Sequence, residues 1–210
     1  MSSRKRATGE SRSAASARGA SSRVLRIIGG TWRGRRLRFS AAADIRPTPD
    51  RVRETLFNWL RDKVAGARCL DLYAGSGALG LEALSRGAVS VQFVDSDAAA
   101  AEDLRARLAQ WGAQGASVAR TDVLRYLRAR PDSFDIVFLD PPFAAGILGI
   151  SARLLEERSW LAPGALIYLE CPARSALPDL PATWMPLKAK RAGEVGYHLF
   201  QKNTPGGMTE

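Results

Sequence analysis

Asp140-Pro141-Pro142-Phe143 sets an acid, two prolines and an aromatic ring directly after the apolar run Phe134–Leu139. Such a run fills the middle of a parallel sheet, and open α/β sheets bind ligands at strand carboxyl ends. Neither proline has an N–H, and each restricts the residue before it, so the peptide is stiff and its carbonyls are free to accept. An acceptor-rich turn beside a flat ring suits a planar amine attached to a base. The same four residues could also do no more than stop a strand and bury a ring.

A second constellation runs through Asp71, Tyr73, Ala74, Gly75, Ser76, Gly77 and Gly80. The glycines satisfy G-x-G-x-x-G, and Asp95 follows Gly75 by twenty residues, which is the dinucleotide fingerprint. Taken alone it admits a nicotinamide-dependent oxidoreductase, since any close ligand approach at such a turn calls for glycine. Asp71, four residues before Gly75, leans toward S-adenosylmethionine: an acid there can meet an ammonium group, and would lie poorly beside a pyrophosphate. Asp95 can accept from both ribose hydroxyls in either case. Asp122, with Val123 after it, ends a third strand, where it can accept from an adenine amine or cap the helix that follows.

These residues need a parallel sheet to bring them together. From residue 68 strands alternate with helices, which implies right-handed crossovers. Strands are expected near 68–73, 89–95, 116–121, 134–139 and 164–170, and helices near 78–86, 98–111, 122–130 and 147–160. A last pair, 184–191 and 195–201, is split by Gly193 and must be antiparallel. Ahead of the sheet, 24–39 forms a hairpin bent at Gly29-Gly30 or Gly34. Thr48 is placed to cap a helix with Pro49 in its first position and Val52, Leu56, Trp59 and Leu60 on its apolar face, up to about Lys63. The expected organisation is a disordered basic tail over 1–22, an RNA-facing extension over 24–64 and a catalytic domain over 65–203.

Charge supports a polyanionic partner. Residues 1–40 carry eleven Lys and Arg against Glu10 alone, whereas 41–210 carry twenty of each sign. The excess of +10 is therefore N-terminal. A transit peptide would share the tail's composition, but the basic character continues into Trp32-Arg33-Gly34-Arg35-Arg36-Leu37-Arg38. Arg33, Arg35, Arg36 and Arg38 are expected to grip phosphates. Arg46, Thr48, Arg51 and Arg53 are expected at a pocket mouth, although Arg51 and Arg53 would look the same on a solvated helix face. Cys69 and Cys171 are expected as core thiols in a reducing cytoplasm. The lone His198 suggests neither a base nor a metal ligand, and no apolar run reaches the length of a membrane span. Nothing marks a dimer face, so a monomer is expected.

The chain resembles the RsmD-type 16S rRNA (guanine-N2)-methyltransferases of bacteria from about Arg26 to Gln201. The resemblance rests on Arg26-Ile27-Ile28-Gly29-Gly30, Arg46-Pro47-Thr48, the run from Asp50 to Asn58, the run from Ala74 to Arg86, and Asp140-Pro141-Pro142-Phe143. It implies a Rossmann-like α/β fold with a mostly parallel seven-stranded sheet and a C-terminal antiparallel hairpin. It further implies S-adenosylmethionine as donor and guanine 966 of 16S rRNA, in an assembling small subunit, as substrate. Phe143 would stack on the flipped base while Asp140 and the Pro141 carbonyl accept from its amine. The tail before Val24 departs from that family. The nearest rival is an adenine-N6 methyltransferase with a similar turn; an inactive scaffold that only binds RNA is another.

Overall fold

The structure, a computed structural model, describes residues 22–40, 48–143 and 146–203. The elements are β1 (Ser22–Arg26), β2 (Arg36–Ser40), α1 (Asp50–Trp59), β3 (Arg68–Leu72), α2 (Ala78–Ser85), β4 (Ser90–Asp95), α3 (Ala98–Gln110), β5 (Ala116–Arg120), α4 (Val123–Leu127), β6 (Phe134–Leu139), α5 (Ile147–Glu157), β7 (Leu161–Pro172), β8 (Trp184–Ala192) and β9 (Val195–Lys202). Seven strands form one sheet in the order β5-β4-β3-β6-β7-β9-β8. The pairs from β5 to β7 are parallel, and β9 is antiparallel to both β7 and β8. The chain runs outward one way from β3 through β4 to β5, then restarts at β6 on the other side of β3. This reversal opens a crevice at the carboxyl ends of β3 and β6.

Alternation along the strands divides the core. Cys69, Phe93, Ile136, Phe138 and Tyr168 join residues of α1, α2 and α3, whereas Leu70, Val94, Val137, Leu139 and Ile167 join residues of α4 and α5. The sheet is thus covered by helices on both faces, which accounts for its continuous apolar runs. The β1–β2 hairpin is its own two-stranded sheet, yet Leu25, Ile27 and Leu37 are buried in the same core as α1 and α2.

Glu82 of α2 attaches that hairpin. It is fully buried and accepts from the backbone N–H of Ile28 and of Gly29, both at 2.8 Å. Gly30 has φ +74, and a Cβ there would fall 1.7 Å from the Ser85 carbonyl oxygen, so the chain can pass only as glycine.

Several expected boundaries move, for local reasons. Pro49 is the N-cap of α1 and Asp50 its first residue; Thr48 gives no capping bond, and α1 ends at Trp59. α4 stops at Leu127, three residues before Arg130, which precedes Pro131 and is steered out of helical geometry. α5 stops at Glu157, where Ser159 takes φ +59 and the buried Trp160 donates its indole N–H to the Leu127 carbonyl at 3.0 Å. β7 extends beyond 164–170 to Leu161–Pro172, with a register irregularity against β6. The tail over 1–21 lies outside the described residues.

Candidate functional site

Register places the strand-end acids. Leu72 pairs with Leu139, and Leu139 with Leu169, so Tyr73 and Asp140 leave the sheet beside Glu170, which is still paired within β7. Asp140 is half-buried and Glu170 buried. Glu170 Oε1 accepts from the Tyr168 hydroxyl at 2.7 Å and from the Thr48 hydroxyl at 3.0 Å. The same Thr48 oxygen lies 3.5 Å from Asp140 Oδ2. Burial, then the neighbouring Glu170 charge, pushes the Asp140 carboxyl well above the usual carboxylate range. Burial also raises Glu170, opposed by the bonds from Tyr168 and Thr48. Three residues on, Phe143 is 55% exposed at the crevice. The turn therefore does not bury its ring, which removes the simple strand-stop account of this motif.

The glycine turn lies between β3 and α2. Tyr73, Gly75 and Gly77 have φ of +60, +51 and +73, and the Gly77 N–H donates to the Ala74 carbonyl at 2.7 Å. A Cβ on Gly77 would stand 2.6 Å from Leu104 Cδ1, and one on Gly80 2.3 Å from Phe93 Cε1. Two of the three fingerprint glycines are therefore required by packing of the chain itself, and Gly75 by the left-handed turn. Tyr73 is tied to α5 by a 2.9 Å bond between its hydroxyl and that of Ser151. Asp95 accepts the Gly75 N–H at 2.7 Å through Oδ2 and the Asp97 N–H at 2.8 Å through Oδ1. Asp122 caps α4 by accepting the Arg125 N–H at 2.8 Å, with Val123 buried behind it.

Asp71 is buried, and its Oδ2 accepts the Gly80 N–H at 2.8 Å. Burial raises its carboxyl to about 8, opposed by that bond and assisted by Asp95. A cation docked beside it favours the ionised form. The donor set fits S-adenosylmethionine: Asp71 would meet its cationic end, Asp95 the ribose hydroxyls and Asp122 the adenine amine. A carboxyl raised in the fold is neutral where the unfolded chain is ionised. Its contribution to stability is complete below the unfolded value of 3.8 and is lost as pH rises toward 8. Asp71→Asn keeps an acceptor for Gly80 and is expected to gain thermal stability over the wild type steadily from pH 5 to pH 8. Parallel melting curves across that range contradict this.

Other expected site residues separate. Arg53 is not at a pocket mouth: it is fully buried, donating to the Arg26 carbonyl at 2.9 Å and to Asp50 Oδ1 at 2.6 Å, with Glu82 at 3.6 Å. It crosses from α1 to the hairpin inside the protein, out of reach of RNA. Thr48 faces carboxylates rather than capping α1. Arg33, Arg35, Arg36 and Arg51 are exposed, and the Arg35 guanidinium lies 5.2 Å from the Trp111 ring centroid. Arg46 and the side chain of Arg38 lie outside the described residues. Both cysteines are free and buried; Cys171 Sγ is 3.7 Å from His198 Nε2, and burial lowers that imidazole. Glu170 and Tyr168 escaped sequence reasoning. An acid ending the apolar run Leu166–Glu170 was the available signal, of the same kind as Asp140.

The profile of a family described as Conserved hypothetical protein 95 matches residues 25–201. The chain is 46% identical over 182 residues to the Ribosomal RNA small subunit methyltransferase D of Escherichia coli K12, covering 87% of this chain and 92% of that one. The protein of that name from Haemophilus influenzae is 43% identical over 181 residues, 84% of this chain and 93% of its own. The solved structure of yhhF from Escherichia coli superposes with a TM-score of 0.80 at 46% identity, covering 86% of this chain and 99% of that one.

Proposed function

The chain belongs to the Conserved hypothetical protein 95 family of RsmD-type methyltransferases, and from that membership we propose that it methylates the N2 amine of guanine 966 in 16S rRNA. The relatives named above act on small-subunit ribosomal RNA by name, and the match to them is nearly full-length. The observation that carries the chemistry is the pairing of an exposed Phe143 with Asp140 at the crevice between β3 and β6. S-adenosylmethionine supplies an electrophilic methyl group when held by Asp71, the 73–77 turn, Asp95, Asp122 and Val123. The protein's own part is to bring an amine nitrogen to that group and hold it.

Flipping a guanine into the crevice costs a few kcal/mol. Stacking on Phe143 offsets this by about 1–3 kcal/mol. The Asp140 carboxylate and the Pro141 carbonyl accept the two N–H bonds of the exocyclic amine, which rotates its lone pair out of the ring and toward the donor. Position and electrostatics then provide most of the rate. The reaction takes place in the cytoplasm, on a monomer, during assembly of the small subunit.

Exposed Arg33 and Arg36 grip phosphates at the hairpin end. Each replacement by Ala is expected to weaken RNA binding and to reduce the salt slope of log K by about 1. Filter binding at several salt concentrations measures it; an unchanged slope removes these residues from the RNA surface. The function itself is tested with tritiated S-adenosylmethionine and small subunits, free 16S rRNA or DNA, followed by digestion to nucleosides. Label in N2-methylguanine supports the assignment, and label in N6-methyladenine overturns it.

A further inference from the structure

Amine methylation releases a proton, and Asp140, directly after β6, stands with Glu170 of β7 in an arrangement that can receive it. We propose that Glu170 is a positioning residue which, through the Thr48 hydroxyl, makes Asp140 the acceptor of the proton that the methylated amine gives up. This rests on the amine-methylation reading above and goes beyond it, because a hydrogen-bond acceptor need not take a proton at all.

The geometry fixes the direction. A hydroxyl has one proton, and Thr48 Oγ1 is 3.0 Å from Glu170 Oε1 but 3.5 Å from Asp140 Oδ2. Its proton therefore goes to Glu170, which also receives the Tyr168 O–H at 2.7 Å. With two donors, Glu170 is the acid that stays ionised. Thr48 then presents a lone pair to Asp140 Oδ2, which only a protonated Asp140 can use. In the step itself, the amine nitrogen forms its new N–C bond as the S–C bond breaks, and the S–C electron pair stays on sulfur. The nitrogen, now cationic, passes one N–H proton to Asp140, where Thr48 accepts a bond from it.

The surroundings favour this assignment. Facing Asp140 are Glu170 and Tyr168 of β7 and Asp71 of β3, with Tyr197 of β9 acting on Tyr168. Beyond burial, the charges of Glu170 and Asp71 raise the Asp140 carboxyl. A carboxyl lifted toward the working pH is a better proton acceptor than an ordinary one. Because the raised group must be ionised to act, methyl transfer falls as pH drops through its folded value.

The test is the acid limb of single-turnover methyl transfer together with the carboxyl infrared titration of the protein without RNA, with Asp140→Ala identifying the Asp140 band. In Glu170→Gln the like charge is gone, and both the limb and the band are expected to move down by about 1 pH unit. In Thr48→Val the acceptor for a protonated Asp140 and the donor that keeps Glu170 ionised are both gone, and both midpoints are expected to move down as well. Native circular dichroism and unchanged S-adenosylmethionine binding in both variants distinguish tuning from a general loss of folding. If Glu170→Gln lowers the rate at every pH and leaves both midpoints in place, Glu170 is structural and the proposal is overturned. The labelled nucleoside judges the guanine assignment separately: the infrared midpoints decide the role of Glu170 whichever base carries the methyl group.

Discussion

Asp140→Ala is expected to reduce methyl transfer by about 10²–10³-fold while leaving the protein at least as stable at pH 8. The two halves have one origin. Asp140 stands half-buried beside Glu170, and burial with that neighbouring charge disfavours its ionised form. Its folded carboxyl is raised, so the stability it provides is complete below the unfolded value of 3.8 and is lost as pH rises through the folded one. At pH 8 the side chain is a cost to the fold, and removing it also relieves Glu170. In the proposed reaction the same carboxylate holds an N–H of the amine and receives the proton, an orientation that the Pro141 carbonyl alone would not give. Single-turnover rates with saturating donor and substrate measure the first half, and melting curves at pH 5 and pH 8 the second. Unreduced transfer removes Asp140 from the mechanism; a fall in both rate and melting temperature at pH 8 makes its role structural.

What the sequence disclosed follows from how local each signal is. The apolar runs, the glycine turn and the acids near the carboxyl ends of β3, β4 and β6 are readable because that end of a strand in a parallel sheet faces the ligand side whatever surrounds it. Thr48 departs from its local pattern for the opposite reason. A threonine before proline and an acid matches a helix cap locally, but two carboxylates from strands 92 and 122 residues away claim its hydroxyl. Arg53 is similar: a guanidinium on a helix reads as solvated until a buried Glu82, itself 29 positions on, is known to face it. Glycines gave the reverse lesson. Gly77 and Gly80 match a nucleotide fingerprint, yet Leu104 and Phe93 already exclude any side chain there. The fingerprint marks close packing at a strand–helix turn, and the acids around it carry the chemical information.

Glu82→Ala is expected to destabilise the protein by about 3–5 kcal/mol, the scale at which one partner of a buried ion pair is removed. Both Glu82 and Arg53 are fully buried. Glu82 receives two hairpin N–H groups at 2.8 Å, Arg86 Nε at 2.8 Å and the Arg53 guanidinium at 3.6 Å. Without it, Ile28 and Gly29 lose their acceptor, and the buried Arg53 cation keeps only Asp50 and the Arg26 carbonyl. Ile28 and Gly29 donate to different oxygens of Glu82, so Glu82→Gln keeps an acceptor for one hairpin amide but neither the second acceptor nor the charge, and its loss is expected to fall between those of Ala and wild type. The damage is expected to concentrate at the junction of β1–β2 with α2, in the hairpin that carries the exposed Arg33 and Arg36. Urea denaturation gives the stability change, and proteolysis of the segment between β1 and β2 under native conditions gives its location. A change below about 1 kcal/mol would place Glu82 among ordinary polar contacts and leave the hairpin's attachment to the apolar contacts of Leu25, Ile27 and Leu37. The expected order of stability, rising, is Ala, then Gln, then wild type, because the charge and both acceptor oxygens are lost in the first, and the charge and one acceptor in the second.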